Sequence, residues 1–261
     1  MALCFVALFH VVCMYAGFTL GFYAYSLVFC AVVTSYNLMK YGVLLLSKKQ
    51  LAYRLPIIAV TTICAVWLLL LSVQETMQAQ LVLTCSAILC LLYMLPLYKK
   101  HGLRFFPVTK LAIVAFCWAL LLVYYPAVSS YNTSFLPRFD TLLSALVLSL
   151  LPVQLFLFIL ALCIPFEIRD LKYDEAALHT LPQLVGVQTS KNIGIGLLVL
   201  IPAIEFMFQI NGLMQHTEVY VILIITALAI WYSDRFKSDY FVGFFVEAVP
   251  ILWLVLYYIL E

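Results

Sequence analysis

The chain has 261 residues, of which 66% are hydrophobic and 10% charged, with a mean hydropathy of +1.12 and a net charge of +2. Such a composition excludes a water-soluble globular domain, and a small charge scattered among loops excludes nucleic acid as a partner. The expectation is a multi-pass integral membrane protein in contact with the lipid bilayer, forming a single domain over residues 1–261.

The sequence opens inside an apolar run without a basic stretch or a small-residue cleavage site, so no removable signal peptide is expected. Crossing about 30 Å of hydrocarbon at about 1.5 Å per residue takes about 20 apolar residues. Residues 1–46 are too long for one crossing and divide near "GFTLG" (17–21). Further apolar runs lie near 56–73, 81–98, 108–127, 139–164, 192–210, 218–233 and 240–260, which makes nine candidate helices. Runs of this length without period-two alternation exclude a barrel, leaving an all-α polytopic bundle.

Lys and Arg set the expected orientation. Lys48, Lys49 and Arg54 fall between helices two and three; Lys99, Lys100, Arg104 and Lys110 between four and five; Arg169, Lys172 and Lys191 between six and seven; Arg235 and Lys237 between eight and nine. The opposite connections hold only Arg138, and Lys40 is inside the second span. Twelve against one predicts a cytoplasmic N-terminus and a C-terminus on the far side, with the cell membrane as the expected location. Pro56, Pro96, Pro107, Pro137, Pro165 and Pro182 are expected at helix ends, where a missing N–H is tolerated. The eight cysteines lie in apolar runs without CxxC spacing, which predicts buried thiols rather than a metal or redox site.

The densest charge is in "PFEIRDLKYDEAALHTLP" (165–182). If 166–178 continue as a helix, Glu167, Asp170 and Asp174 at i, i+3 and i+7 share one face within about 60°. Carboxylates so close repel, and a hard divalent cation is the usual remedy. Arg169 and Lys172 then point elsewhere, towards phosphate oxygens or lipid headgroups, and Pro182 ends the helix. On spacing alone an ordinary solvated loop explains the segment equally well.

The stretch "EIRDLKYDEAALHTLPQLVG" (167–186) resembles the second aspartate motif of the UbiA superfamily of intramembrane prenyltransferases, D-x-x-D-x-x-x-D followed by T-L-P. Glu167, Asp170 and Asp174 stand at its acidic positions, and Thr180, Leu181 and Pro182 at its trailing segment, with Leu178 replacing the usual Gly. Similarly, "LYMLPLYKKHGLRFFPVTK" (92–110) resembles the family's connection between helices four and five. The resemblance implies nine helices, Mg²⁺ held by Glu167, Asp170 and Asp174, and catalysis through Asp170 and Asp174. It implies a prenyl diphosphate or other isoprenoid lipid contacting Asn37, Lys40, Tyr41, Arg169, Lys172, Lys99 and Lys100.

The family's first motif, N-D-x-x-D, should lie at the end of helix two, where this chain has "SYNLMKYG" (35–42). Asn37 keeps the leading Asn, but Leu38 and Tyr41 replace both aspartates, and neither ligates Mg²⁺ well. Lys40 could pair with phosphate directly or simply snorkel to the interface. Three functions follow: Mg-dependent prenyl transfer to an acceptor, isoprenoid binding without chemistry, or small-molecule transport. Transport requires ionisable groups in mid-span, for which Glu205 and His10 are the candidates beside Lys40. Asp234, Arg235, Lys237 and Asp239 read as a solvated loop, and no hydrolase, dinucleotide, NTPase or zincin motif occurs.

Overall fold

The computed structural model describes residues 1–46, 53–94, 108–130, 142–172, 180–209, 212–235 and 240–260. Among these residues the regular structure is wholly helical. The helices are α1 (Ala2–Tyr15), α2 (Phe22–Leu46), α3 (Arg54–Ser72), α4 (Met77–Met94), α5 (Thr109–Ser129), α6 (Leu142–Asp170), the short α7 (Leu181–Val185), α8 (Val187–Phe208), α9 (Thr217–Tyr232) and α10 (Val249–Leu260). A π-helical turn, Leu120–Tyr124, interrupts α5, and another, Phe241–Val246, leads into α10. Nine long helices among the described residues correspond to the nine apolar runs.

The break between α1 and α2 has a local cause. Gly17 takes a φ of 67°, the left-handed region that glycine enters without steric cost. Phe18 N–H donates to Cys13 O at 2.8 Å and Gly17 N–H to Met14 O at 3.2 Å, the paired bonds of a Schellman stop.

Two prolines depart from expectation. Pro165 does not end its helix: α6 carries both Pro152 and Pro165 internally and runs to Asp170. Proline removes one backbone bond, but a full break in lipid would orphan several backbone groups, so the helix continues. Pro182 opens a helix rather than closing one. It stands in the first turn of α7, where its absent N–H costs nothing, and the Gln183 carboxamide oxygen accepts the Thr180 N–H at 2.9 Å to cap the turn.

Phe22–Gly42, Arg54–Ser72, Thr109–Ser129, Ser149–Asp170 and Val187–Phe208 are long and apolar enough to cross a bilayer; the other four long helices are apolar but shorter. α1 packs on α2 and α10, α2 on α3 and α4, α6 on α5 and α8, and α9 on α8 and α10. Phe5, Phe9, Leu27, Leu122, Tyr125, Phe158 and Trp253 are sealed in the shared core. The outer surface is apolar too, with Ile63, Leu69, Phe206 and Ile259 exposed. An apolar exterior around an apolar core requires lipid as solvent, and the chain is an integral membrane protein. Gly194 lets α8 come close to its neighbours, since a Cβ there would lie 2.8 Å from Ile164 Cδ1 and 3.2 Å from Ile230 Cδ1.

Up-and-down alternation brings the ends of α2, α4, α6 and α9 together with the starts of α3, α5, α7, α8 and α10. Lys40, Arg54, Lys110, Arg169, Lys172, Lys191 and Arg235 all belong to this basic end. The cysteines are free thiols and mostly buried, as expected, although Cys85 is exposed on the surface of α4.

Candidate substrate-binding site

Two of the three motif carboxylates are described, and each has a fixed partner. Glu167 is 2% exposed, and its Oε2 accepts the Leu181 N–H at 3.2 Å. A helix N-terminus carries partial positive charge and unpaired N–H groups, so Glu167 anchors the start of α7 onto the end of α6. This bond explains the Thr-Leu-Pro segment physically: it turns a helix start towards the carboxylate.

Asp170 is neutralised from two helices. Its Oδ1 accepts from Arg169 Nε at 2.7 Å and lies 2.7 Å from Arg169 Nη2, while Oδ2 lies 3.8 Å from Lys110 Nζ in the first turn of α5. Arg169 therefore does not point away from the acidic face, as expected from helix angles, because its long side chain folds back onto its neighbour. The guanidinium also lies 5.4 Å over the Phe166 ring. Beside it is the π-helical entry to α10, where a Cβ on Gly243 would be 3.6 Å from Arg169 Nη1. The regular helix ends at Asp170, and Lys172 stands in the following turn. Asp174, Lys99 and Lys100 lie outside the described residues.

The α2 residues are held differently. Asn37 Nδ2 donates to Thr61 Oγ1 on α3 at 2.9 Å. Lys40 Nζ donates to Tyr36 OH at 3.1 Å and stands 5.4 Å and 5.3 Å from the Tyr36 and Tyr41 ring centres. Next to Lys40, Met39 packs on the cluster of Cys90, Tyr93, Ile113 and Cys117. That cluster includes α5 just beyond Lys110, so the α2 and α6 residues flank the same helix.

A second ion pair closes this end. Lys191 is 3% exposed; it donates to Trp231 O at 2.8 Å and pairs with Asp234. The Lys191 ammonium bonded to Asp234 holds that carboxyl below its usual range. A lowered folded-state value means stabilisation present above the ordinary Asp value of about 3.9 and lost as pH falls through the folded value. Asp234→Asn is expected to destabilise at neutral pH by about 1 kcal/mol, less than a fully buried pair because the Asp234 side of the pair is exposed. Thermal melts in detergent should show the difference from wild type vanishing on acidification below about pH 4.

Both mid-span candidates for a transport path have structural partners. His10 bonds Tyr25 OH through Nδ1 and Tyr258 OH through Nε2, each at 2.7 Å. Glu205 accepts from Gln154 Nε2 at 2.7 Å, Gly212 N–H at 3.1 Å and Met214 N–H at 3.1 Å. Sequence reasoning missed a third buried acid, Glu218, which is 1% exposed and accepts from Tyr15 OH at 2.5 Å. Trp253 Nε1 donates to that same Tyr15 oxygen at 2.9 Å. It missed the role of Lys110 as well, which read only as a positive loop charge.

Mg²⁺ needs free oxygen ligands. Among the described residues no three His, Cys, Asp or Glu side chains converge, Glu167 is bonded to a helix amide, Asp170 faces two cations, and α2 offers no carboxylate. The two described motif carboxylates are thus each bonded within the protein, Glu167 to the Leu181 amide and Asp170 to Arg169 and Lys110.

The apo structure of a UbiA homologue from Aeropyrum pernix K1 aligns with a TM-score of 0.70, covering 99% of this chain and 98% of that one at 13% identity. This chain has the UbiA fold. The likeness spans the whole bundle and so includes every helix that carries the site. No family model and no curated protein matches the sequence. Concavities border the described helices elsewhere as well. One of about 750 Å³ is bordered by Glu205, Met214 and Tyr220, and one of about 560 Å³ lies between α9 and the Phe241–Val246 turn.

Proposed function

We propose that this UbiA-fold protein binds a prenyl diphosphate from the cytoplasmic leaflet of the cell membrane and transfers the prenyl group to an acceptor. The observation that carries the reading is the match to the UbiA fold over the full length of both chains, combined with a charged motif at the end of α6. The diphosphate would lie at the basic end, near Arg169 on α6, Lys172 in the turn after it and Asn37, Lys40 and Tyr41 on α2, with Lys99 and Lys100 of the connection between α4 and α5 as further cations. The isoprenoid chain would run among the helices. An apolar bundle rich in Tyr and Phe suits an allylic cation, excluding water and stabilising charge by cation–π contact. In the reaction the C–O bond breaks and its electron pair leaves on the diphosphate; a nucleophilic atom of the acceptor bonds the allylic carbon and then loses its proton. Asp170 would act as a positioning residue, holding Arg169 and Lys110 at the diphosphate end of the site.

A second reading is isoprenoid binding without chemistry, favoured by the replacement of both α2 aspartates by Leu38 and Tyr41. Purified protein incubated with a panel of radiolabelled prenyl diphosphates and membrane lipid extract separates the two. Transfer predicts that label moves to an organic-phase product with release of diphosphate. Saturable binding without product supports the second reading, and absence of binding across the panel contradicts both.

A further inference from the structure

We propose that the charge of a bound diphosphate is met here by Lys110 and Arg169 rather than by a divalent cation, so that prenyl-diphosphate binding needs no Mg²⁺. The inference rests on the prenyl-diphosphate reading above and concerns how that ligand is held.

Four observations lead to it. The end of α2 has Asn37, Leu38 and Tyr41 where a metal-holding motif would need carboxylates, and it adds a cation, Lys40. Glu167 is buried against the α7 amide and cannot turn to a metal without uncapping that helix. Asp170 presents both oxygens to cations, Oδ1 to Arg169 at 2.7 Å and, more loosely, Oδ2 to the partly exposed Lys110 at 3.8 Å. Those cations come from the facing ends of two helices, α6 and α5, and the turn before α10 passes beside Arg169, where a Cβ on Gly243 would lie 3.6 Å from Arg169 Nη1.

A dication placed at Asp170 would stand against an ammonium and a guanidinium. An arriving diphosphate instead exchanges with the carboxylate. Arg169 offers the forked donor geometry that matches phosphate oxygens, and Lys110 acts as a mobile point charge. Asp170 then serves as a positioning residue that holds the two cations in place while no ligand is bound.

The two roles for Asp170 predict opposite results. A metal ligand is indispensable, so Asp170→Asn would abolish binding. A place-holding anion competes with the ligand, so Asp170→Asn leaves binding intact or tighter. The experiment measures equilibrium binding of the same panel of radiolabelled prenyl diphosphates to the detergent-purified protein, in EDTA and in Mg²⁺. It compares wild type with Asp170→Asn and Lys110→Gln, with elution profiles and melts to establish folding.

Support consists of wild-type affinity equal in EDTA and Mg²⁺ within about threefold, retention in Asp170→Asn, and weakening by about tenfold in Lys110→Gln, as loss of a charge-assisted bond predicts. Binding seen only with Mg²⁺, or lost in Asp170→Asn, overturns the inference and leaves the prenyl-diphosphate reading standing. Wild type that binds in neither condition overturns that reading itself. Should Lys110→Gln fail to fold, the EDTA comparison on wild type decides alone.

Discussion

Replacing Glu205 with alanine should lower folding stability by about 3–5 kcal/mol, the cost of stranding three buried hydrogen-bond donors. Its carboxylate is 5% exposed and receives the Gln154 carboxamide from α6 and the N–H groups of Gly212 and Met214 from the turn before α9. Alanine would orphan all three donors, each worth about 1–3 kcal/mol when stranded without water. Glu205→Gln keeps the shape but turns an NH₂ towards N–H donors, so it should fall between wild type and alanine. Gly212→Ala offers an independent check, since its Cβ would meet Glu205 Oε1 at 2.7 Å and push the network apart. Thermal unfolding in detergent ranks the three. An alanine variant within about 1 kcal/mol of wild type would mean that water from the adjoining concavity satisfies the donors.

The second large effect belongs to the ligand. Arg169→Gln should weaken prenyl-diphosphate affinity by about 10–100-fold, because a hydrogen bond to a charged group contributes about 1.5–3 kcal/mol. Arg169→Lys should recover only part of it, since an ammonium lacks the planar fork. The variant also releases Asp170 from its nearest cation, so melting temperature must be recorded beside affinity. Equal affinity for wild type and Arg169→Gln would exclude the guanidinium from the diphosphate site.

The helices were legible because lipid imposes a simple rule: every crossing must be a long apolar run, and each interruption then marks an end. The "GFTLG" stretch illustrates this. It looked like a weak seam in a long run, and the structure places Gly17 there as the left-handed residue of a helix stop. Proline carried less information. Pro165 was expected to end a helix and instead lies inside α6, because neighbouring helices bear the loss of one backbone bond more cheaply than the exposure of a whole turn to lipid.

The site was legible in composition but not in pairing. Spacing identified Glu167 and Asp170 as charges on one face, and the natural inference was an external cation. What spacing could not reveal is that Lys110 of α5, far away in sequence, comes within 3.8 Å of Asp170, or that the adjacent Arg169 reaches back across about 100° of helix. The role of Glu167 was likewise hidden, since its partner is a backbone amide and every residue but proline has one. The pair of buried Lys191 with exposed Asp234 has the same explanation: both residues read as loop charges until the bundle brings α8 against α9.

The central claim is that a prenyl diphosphate binds within this bundle, with its head at the junction of α5 and α6. Photo-crosslinking with a benzophenone-tagged prenyl diphosphate, followed by peptide mapping, tests it most directly. The account predicts labelled peptides from the basic halves of α5 and α6 that disappear when untagged ligand is added in excess. Labelling that resists competition, or that maps only to the lipid-facing surfaces of α3 and α9, would contradict it.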